Sequence, residues 1–262
     1  MGLPFYQIDA FTDRPFAGNP AAVCFLDGPR DDRWLQDVAR EMNLSETAFL
    51  LSQAHGFHLR WFTPTVEVAL CGHATLASAH ALWETGRLRV DQCARFHTKS
   101  GLLTAERKGA LIELDFPAKP EVSAPPPAGL AEALGCQLKY VGRNAFDYLI
   151  EIEGEKTLRN LAPDFGALAK IPVRGVIVTS RSDSPEFDFI SRFFAPASGV
   201  NEDPVTGSAH CCLGPFWQSR LNKSEFTAYQ ASPRGGVVKL RVEGERVKLA
   251  GQAVTVLRGE LV

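Results

Sequence analysis

The sequence predicts an α+β protein of two similar lobes, each a set of strands folded around one apolar helix. Three observations predict it. One passage is written twice: Trp61-Phe62-Thr63-Pro64 leads to Cys71-Gly72-His73-Ala74-Thr75-Leu76-Ala77-Ser78-Ala79, and Arg192-Phe193-Phe194-Ala195-Pro196 leads to Asp203-Pro204-Val205-Thr206-Gly207-Ser208-Ala209-His210. Phe62/Phe194 and Pro64/Pro196 share one offset, and Gly72/Gly207 and Ala74/Ala209 share another three residues longer, as in a duplication with a small loop insertion. In each copy an aromatic, strand-like run ends in a polar turn that passes through Gly into an Ala-rich helix. Finally, Pro117 to Pro127 contains five prolines and reads as a linker between the copies. The lobes are then residues 1–118 and 128–262, with the linker at about 119–127.

Phe5 to Phe11 alternates as a strand, and the turn-rich Asp13 to Pro20 precedes a second strand, Ala22 to Leu26. Trp34, Leu35, Val38 and Met42 share one face of a helix over Asp31 to Met42. Asn43-Leu44-Ser45-Glu46 then leads into an apolar strand from Thr47 to Leu51. Strands follow around His58 to Phe62, Ala94 to Thr98, Leu102 to Arg107 and Ala110 to Phe116, with one long helix, Ala74 to about Trp83, among them. The second half repeats the plan. A short helix at Leu130 to Leu134 precedes strands at Phe146 to Ile152, Gly175 to Thr179 and Phe187 to Phe194; a helix from Ser208 to about Arg220 and paired strands over Gly235 to Leu257 complete it.

Composition narrows the function. Hydrophobic content of 45% with 22% charge belongs to a globular chain. A net charge of −2 leaves no basic footprint for nucleic acid or acidic membranes. No apolar run has the length of a membrane span and the N-terminus lacks a signal-peptide pattern, so the expected compartment is the cytoplasm. In that reducing setting the six cysteines are expected as thiols, with Cys211 and Cys212 on a buried helix face.

The duplication carries the first functional expectation. Two helices related by a pseudo-twofold aim two N-termini at one place, and free amides with the positive helix dipole make each an anion site. A small acidic molecule in a cleft between lobes fits. Glu46, between a polar turn and an apolar strand, is the leading catalytic candidate, because partial burial raises a carboxyl pKa toward the range useful for proton transfer. The plainer alternative is a turn cap or a surface partner for Arg. His73 can donate to a substrate carboxylate, relay a proton with Glu46, or simply satisfy a loop carbonyl. Asp203 before Pro204 is either a turn starter or a second carboxylate facing Glu46. Ser208 can cap helix amides, bind the ligand, or both. Asn19 can reach a ligand from the Gly18-Asn19-Pro20 turn. Cys71-x-His73 and His210-Cys211-Cys212 offer metal-ligand types without zinc spacing, so no metal is expected. Gly-rich nucleotide signatures are absent from the sequence, so no nicotinamide or ATP cofactor is expected either.

These residues resemble the phenazine-biosynthesis PhzF-like proteins, relatives of diaminopimelate epimerase. The resemblance runs nearly end to end, through Asp9 to Thr12, Phe16 to Val23, Asn43 to Phe49, Phe62 to Pro64, Cys71 to Thr75, Glu202 to His210 and Ser232 to Gly236. It implies a diaminopimelate epimerase-like α+β fold: two pseudo-symmetric lobes, each a β-barrel wrapped around a central helix, in a homodimer. It also implies a cofactor-independent isomerase acting on a small carboxylic acid, cyclic or amino. Glu46 matches the glutamate that shuttles a proton between carbons in the family's isomerase; Asn19, Gly72, His73, Asp203, Gly207 and Ser208 match its ligand contacts. The related epimerase uses two cysteines. Here Cys71 has no counterpart in the Asp203-Pro204-Val205 loop, which disfavours two-thiol racemisation and makes Cys71 structural. Two alternatives stand beside the isomerase: an amino-acid or hydroxy-acid epimerase, and a non-catalytic ligand-binding or scaffold protein.

Overall fold

Strand alternation at the N-terminus buries Leu3 and Phe5 on one side of the first strand and Ile8 on the other, and alternation recurs in strands further along the chain. The computed structural model describes residues 2–262. They form two units: residues 2–116 with Lys248–Val262, and Pro117–Val247.

In the first unit, β1 (Leu3–Ala10) and β2 (Asn19–Leu26) precede α1 (Asp32–Met42). Asp31 caps α1 by accepting from the Trp34 amide, and Asn43 ends it in the left-handed conformation that Asn tolerates. Then come β3 (Glu46–Gln53), β4 (Gly56–Phe62), the short β5 (Glu67–Val68), α2 (Gly72–Glu84), β6 (Ala94–Thr98), β7 (Gly101–Lys108) and β8 (Leu111–Pro117). Helix α2 is buried nearly all round, with Ala74, Leu76, Ala77, Ala79, Ala81 and Leu82 fully enclosed, as befits a helix at the centre of a core. Its hydroxyls cost little there, because Thr75 donates to the Cys71 carbonyl (2.5 Å) and Ser78 to that of Ala74 (2.7 Å).

The second unit contains β9 (Val122–Ser123), α3 (Leu130–Leu134), β10 (Tyr140–Arg143), β11 (Asp147–Glu151), α4 (Glu155–Arg159), α5 (Phe165–Leu168), β12 (Gly175–Arg181), β13 (Phe189–Ala195), β14 (Val200–Asp203), α6 (Gly207–Leu221), β15 (Glu225–Gln230) and β16 (Gly236–Glu243). The chain then returns through β17 (Arg246–Gly251) to β18 (Ala253–Leu261). In α6 the buried face includes Cys211, Cys212, Leu213, Phe216 and Trp217.

The duplication reappears in the pairing order. In the first unit β1–β2 is antiparallel, β2–β3 parallel, β3–β4 and β4–β5 antiparallel, β4–β6 parallel and β6–β7 antiparallel. In the second, β10–β11 is antiparallel, β11–β12 parallel, β12–β13 and β13–β14 antiparallel, β13–β15 parallel and β15–β16 antiparallel. Phe62 pairs with Thr47 as Phe194 pairs with Val176, so the residues before them, Glu46 and Gly175, are counterparts.

Two boundaries differ from expectation. Residues 119–127 are no free linker: β9 pairs with β10, and the Lys119 amide donates to the Cys211 carbonyl (2.9 Å). Pro215 explains that bond, since it removes the helical N–H that otherwise satisfies Cys211, and Lys119 supplies the missing donor. Nor do residues 248–262 belong with the second lobe. Strand β18 lies antiparallel to β1, from Leu3↔Leu261 to Ala10↔Ala253, and Lys248 pairs with Asp115 (2.7 Å). The edge of β1 is covered by this returning strand as that of β10 is covered by β9.

Candidate active site

Glu46 opens β3 opposite Ala21 of β2, so it stands beside the strand end that carries Asn19. That end is tightly built. Gly18 has φ +64, and a side chain there would meet the Ala10 carbonyl at 2.2 Å; Asn19 next to it is fully buried. The buried Asp9 accepts from the Phe16 amide (2.7 Å), which fixes the loop leading in.

At the start of α2, His73 Nε2 lies 3.1 Å from Glu46 Oε2, with the His73 side chain 5% exposed and that of Glu46 18%. The contact is close but not aligned as a hydrogen bond. The other ring nitrogen, Nδ1, is 3.6 Å from Cys71 Sγ. Burial alone disfavours the His73 imidazolium, but the Cys71 sulfur and the Glu46 carboxylate outweigh it and raise the pKa well above its ordinary 6.5. Burial, reinforced by Glu46, pushes the Cys71 thiol up to about 11. The thiol keeps its proton at neutral pH, and with the sulfur uncharged only the Glu46 carboxylate favours the imidazolium against burial. Glu46, Cys71 and His73 place an O, an S and an N within 4.8 Å of one another. A cation held here would displace the thiol proton and take the imidazole neutral, whereas without one the three groups are close enough to share a proton.

The two central helices lack the side-chain cap that opens α1, as do the short α3 and α4. Asp31 caps α1 and Asp164 caps α5, whereas neither Cys71 before α2 nor Thr206 before α6 makes a side-chain cap bond. The amides beginning at Gly72 and at Gly207 remain donors for an anion.

In the second unit Thr206 Oγ1 donates to Asp203 Oδ2 (2.5 Å), which turns the hydroxyl away from capping. Gln230, fully buried, clamps this turn: its Oε1 accepts from the Thr206 amide (2.8 Å) and its Nε2 donates to the Asp203 carbonyl (2.7 Å). Ser232 ties down the Pro204 carbonyl (2.8 Å). Ser208 is the second residue of α6, inside the helix and not at the cap position, because the helix begins at Gly207. Its Oγ accepts from Arg174 Nη2 (3.1 Å). His210 is core: Nδ1 donates to the Thr206 carbonyl (2.9 Å), and burial lowers its pKa to about 4 while raising that of Cys211 to about 12.

Residues 8–259 match the family described as phenazine biosynthesis-like protein, PhzC-PhzF. The chain belongs to the PhzF-like family of isomerases. A protein of Halalkalibacterium halodurans called an uncharacterized isomerase is 61% identical, over 100% of this chain and 99% of its own. The crystal structure of a PhzF-family protein from Enterococcus faecalis superposes with a TM-score of 0.96 at 40% identity, covering 100% of both chains. A probable proline racemase from Agrobacterium radiobacter, at 11% identity and TM-score 0.67 over 99% of this chain and 93% of its own, shares the fold alone. The fold is thus α+β of the diaminopimelate epimerase type.

Of the residues that the PhzF-like resemblance selects, the first unit brings Glu46, Gly72 and His73 to the start of α2, with Asn19 on the neighbouring strand. The second brings Asp203, Gly207 and Ser208 to the start of α6. Cys71, which sequence reasoning set aside as structural, lies 3.6 Å from His73 Nδ1, beside the residues selected. It also passed over Gln230 and Arg174. Only the nearness of Gln230 to the Ser232 to Gly236 motif hinted at the former.

Proposed function

We propose that this chain is a cofactor-independent isomerase that moves a proton, and with it a double bond, on a small carboxylic acid. The observation that carries the proposal is the 3.1 Å approach of Glu46 to the buried His73 at the start of α2. Glu46 takes a proton from a carbon next to an electron-withdrawing group; the released electron pair moves along the conjugated system; Glu46 then returns the proton at another carbon. His73 fixes and polarises the substrate. The uncapped amides from Gly72 and Gly207 receive anionic groups, Asp203 hydrogen bonds the substrate, and Asn19 and Ser208 complete its polar contacts. Two carboxylates and no second thiol favour this chemistry over two-cysteine inversion. A cytoplasmic homodimer belongs to the same proposal; light scattering should give twice 28.6 kDa.

The test is a screen of small cyclic and amino acids in D₂O, followed by NMR. Solvent deuterium should enter one substrate at a new carbon as the double bond moves, and Glu46→Gln should abolish this. Deuterium returned to the same carbon with inverted configuration would make the protein an epimerase. Binding with neither exchange nor movement of the double bond would make it a ligand-binding protein.

A further inference from the structure

Glu46 and Gly175 are counterparts in the repeat, and so are His73 and Ser208, each second in its central helix. The first unit joins its pair as carboxylate and imidazole. The second cannot, since Gly175 has no side chain and the Phe193 ring stands where one would grow, 2.3 Å from an added Cβ. The residue just before it, Arg174, makes the equivalent contact by donating to Ser208 Oγ at 3.1 Å. An acid–base pair at the start of α2 is thus replaced by a cation–hydroxyl pair at the start of α6.

The arginine is held firmly. Its Nε donates to Asp147 Oδ1 (2.9 Å), its Nη2 also bonds Asp147, and its guanidinium lies 5.3 Å from the Phe146 ring centre and 5.7 Å from that of Phe193. Asp147 is 1% exposed, and burial lifts its pKa above the ordinary carboxylate value despite the guanidinium beside it. A buried carboxylate that gains less than it loses is weak evidence for stability, and what it secures here is the orientation of Arg174. The outer part of Arg174 stays 40% exposed, and Nη1 has no protein partner among the described residues. Because Ser208 Oγ accepts from the arginine, its single hydrogen is turned elsewhere, and it has no acceptor among the described residues.

We propose that Arg174 is a positioning residue that fixes and polarises the Ser208 hydroxyl as a donor to a carboxylate group, and so sets a preference for carboxylates over their uncharged amides. The proposal rests on the isomerase function only in taking Ser208 as a substrate contact. A charge-assisted donor separates the two ligand classes by about tenfold or more.

The test measures binding of cyclohex-1-ene-1-carboxylate and of its carboxamide by isothermal titration, in the full chain and in variants. The wild type should bind the carboxylate at least tenfold more tightly. Arg174→Gln should lose that preference by weakening the carboxylate and leaving the amide unchanged, and Arg174→Gln combined with Ser208→Ala should be no weaker than Ser208→Ala alone. Since Arg174→Gln leaves Asp147 buried without its cation, Asp147→Asn with Arg174→Gln serves as the variant in which no lone charge remains. Equal loss for both ligands, additive effects of the two substitutions, or no carboxylate preference in the wild type overturns the proposal. Glu46-dependent exchange reports separately on the isomerase function: exchange with an unaltered preference in Arg174→Gln sinks only the role of Arg174, and Arg174-dependent preference without exchange sinks only the isomerase.

Discussion

The starts of α2 and α6 are built on one strand order and carry opposite chemistry. At α2 a carboxylate from the head of β3 meets an imidazole on the helix; at α6 the head of β12 is glycine, and an arginine one residue earlier meets a serine. The difference teaches how a duplicated scaffold becomes an asymmetric enzyme. Each copy retains helix amides without a side-chain cap, and under the proposed function the side chains beside them divide the labour between moving a proton and holding a charge.

The comparison breaks hardest at Glu46. Glu46→Gln should slow solvent exchange by about 10²–10⁴-fold, as measured by NMR. Survival of exchange would mean that the proton-moving half had been misidentified. Next is Gln230→Leu, which strips the Asp203–Thr206 turn of its clamp. The buried donor and acceptor left behind should cost about 2–3 kcal/mol in denaturant unfolding. Gly175→Ala tests the counterpart of Glu46 directly. Its methyl must displace the Phe193 ring, at a cost of about 1–3 kcal/mol.

A pH series sharpens the same contrast. His73 has a folded pKa above its unfolded value, so its contribution to stability is full below pH 6.5, declines as pH rises further and is exhausted above the raised folded value. The stability difference between wild type and His73→Gln should therefore shrink from pH 6.5 upward. The smallest effect is expected from Cys71→Ala. A protonated thiol is no base, so exchange should fall by less than about tenfold. Abolition would transfer the proton-moving role from Glu46 to Cys71.

What was legible in the sequence was local. The two central helices announced themselves by small apolar residues after a Gly-containing turn, and Glu46 by its place where a polar turn becomes an apolar strand. What was illegible depends on partners far along the chain. Arg174 reaches Asp147 27 residues away and Ser208 34 away, and nothing around Arg174 marks it. Gln230 sits between Tyr229 and Ala231 as an ordinary strand residue; only the loop 24 residues upstream makes it a clamp. The proline-rich stretch looked unstructured because its two-residue strand and its bond to Cys211 depend on β10 and on Pro215, neither of which it contains.

The pairing of β1 with β18 also has a consequence for how the protein is made. The penultimate residue of β18, Glu260, lies against Pro4, so the unit begun first on the ribosome is the last to be finished. Synthesis delivers Pro117–Val247 in full before Lys248–Val262 leaves the exit tunnel, and during that interval β1 has an open edge. Until β18 pairs with β1, the first unit waits on residues made after the whole of the second.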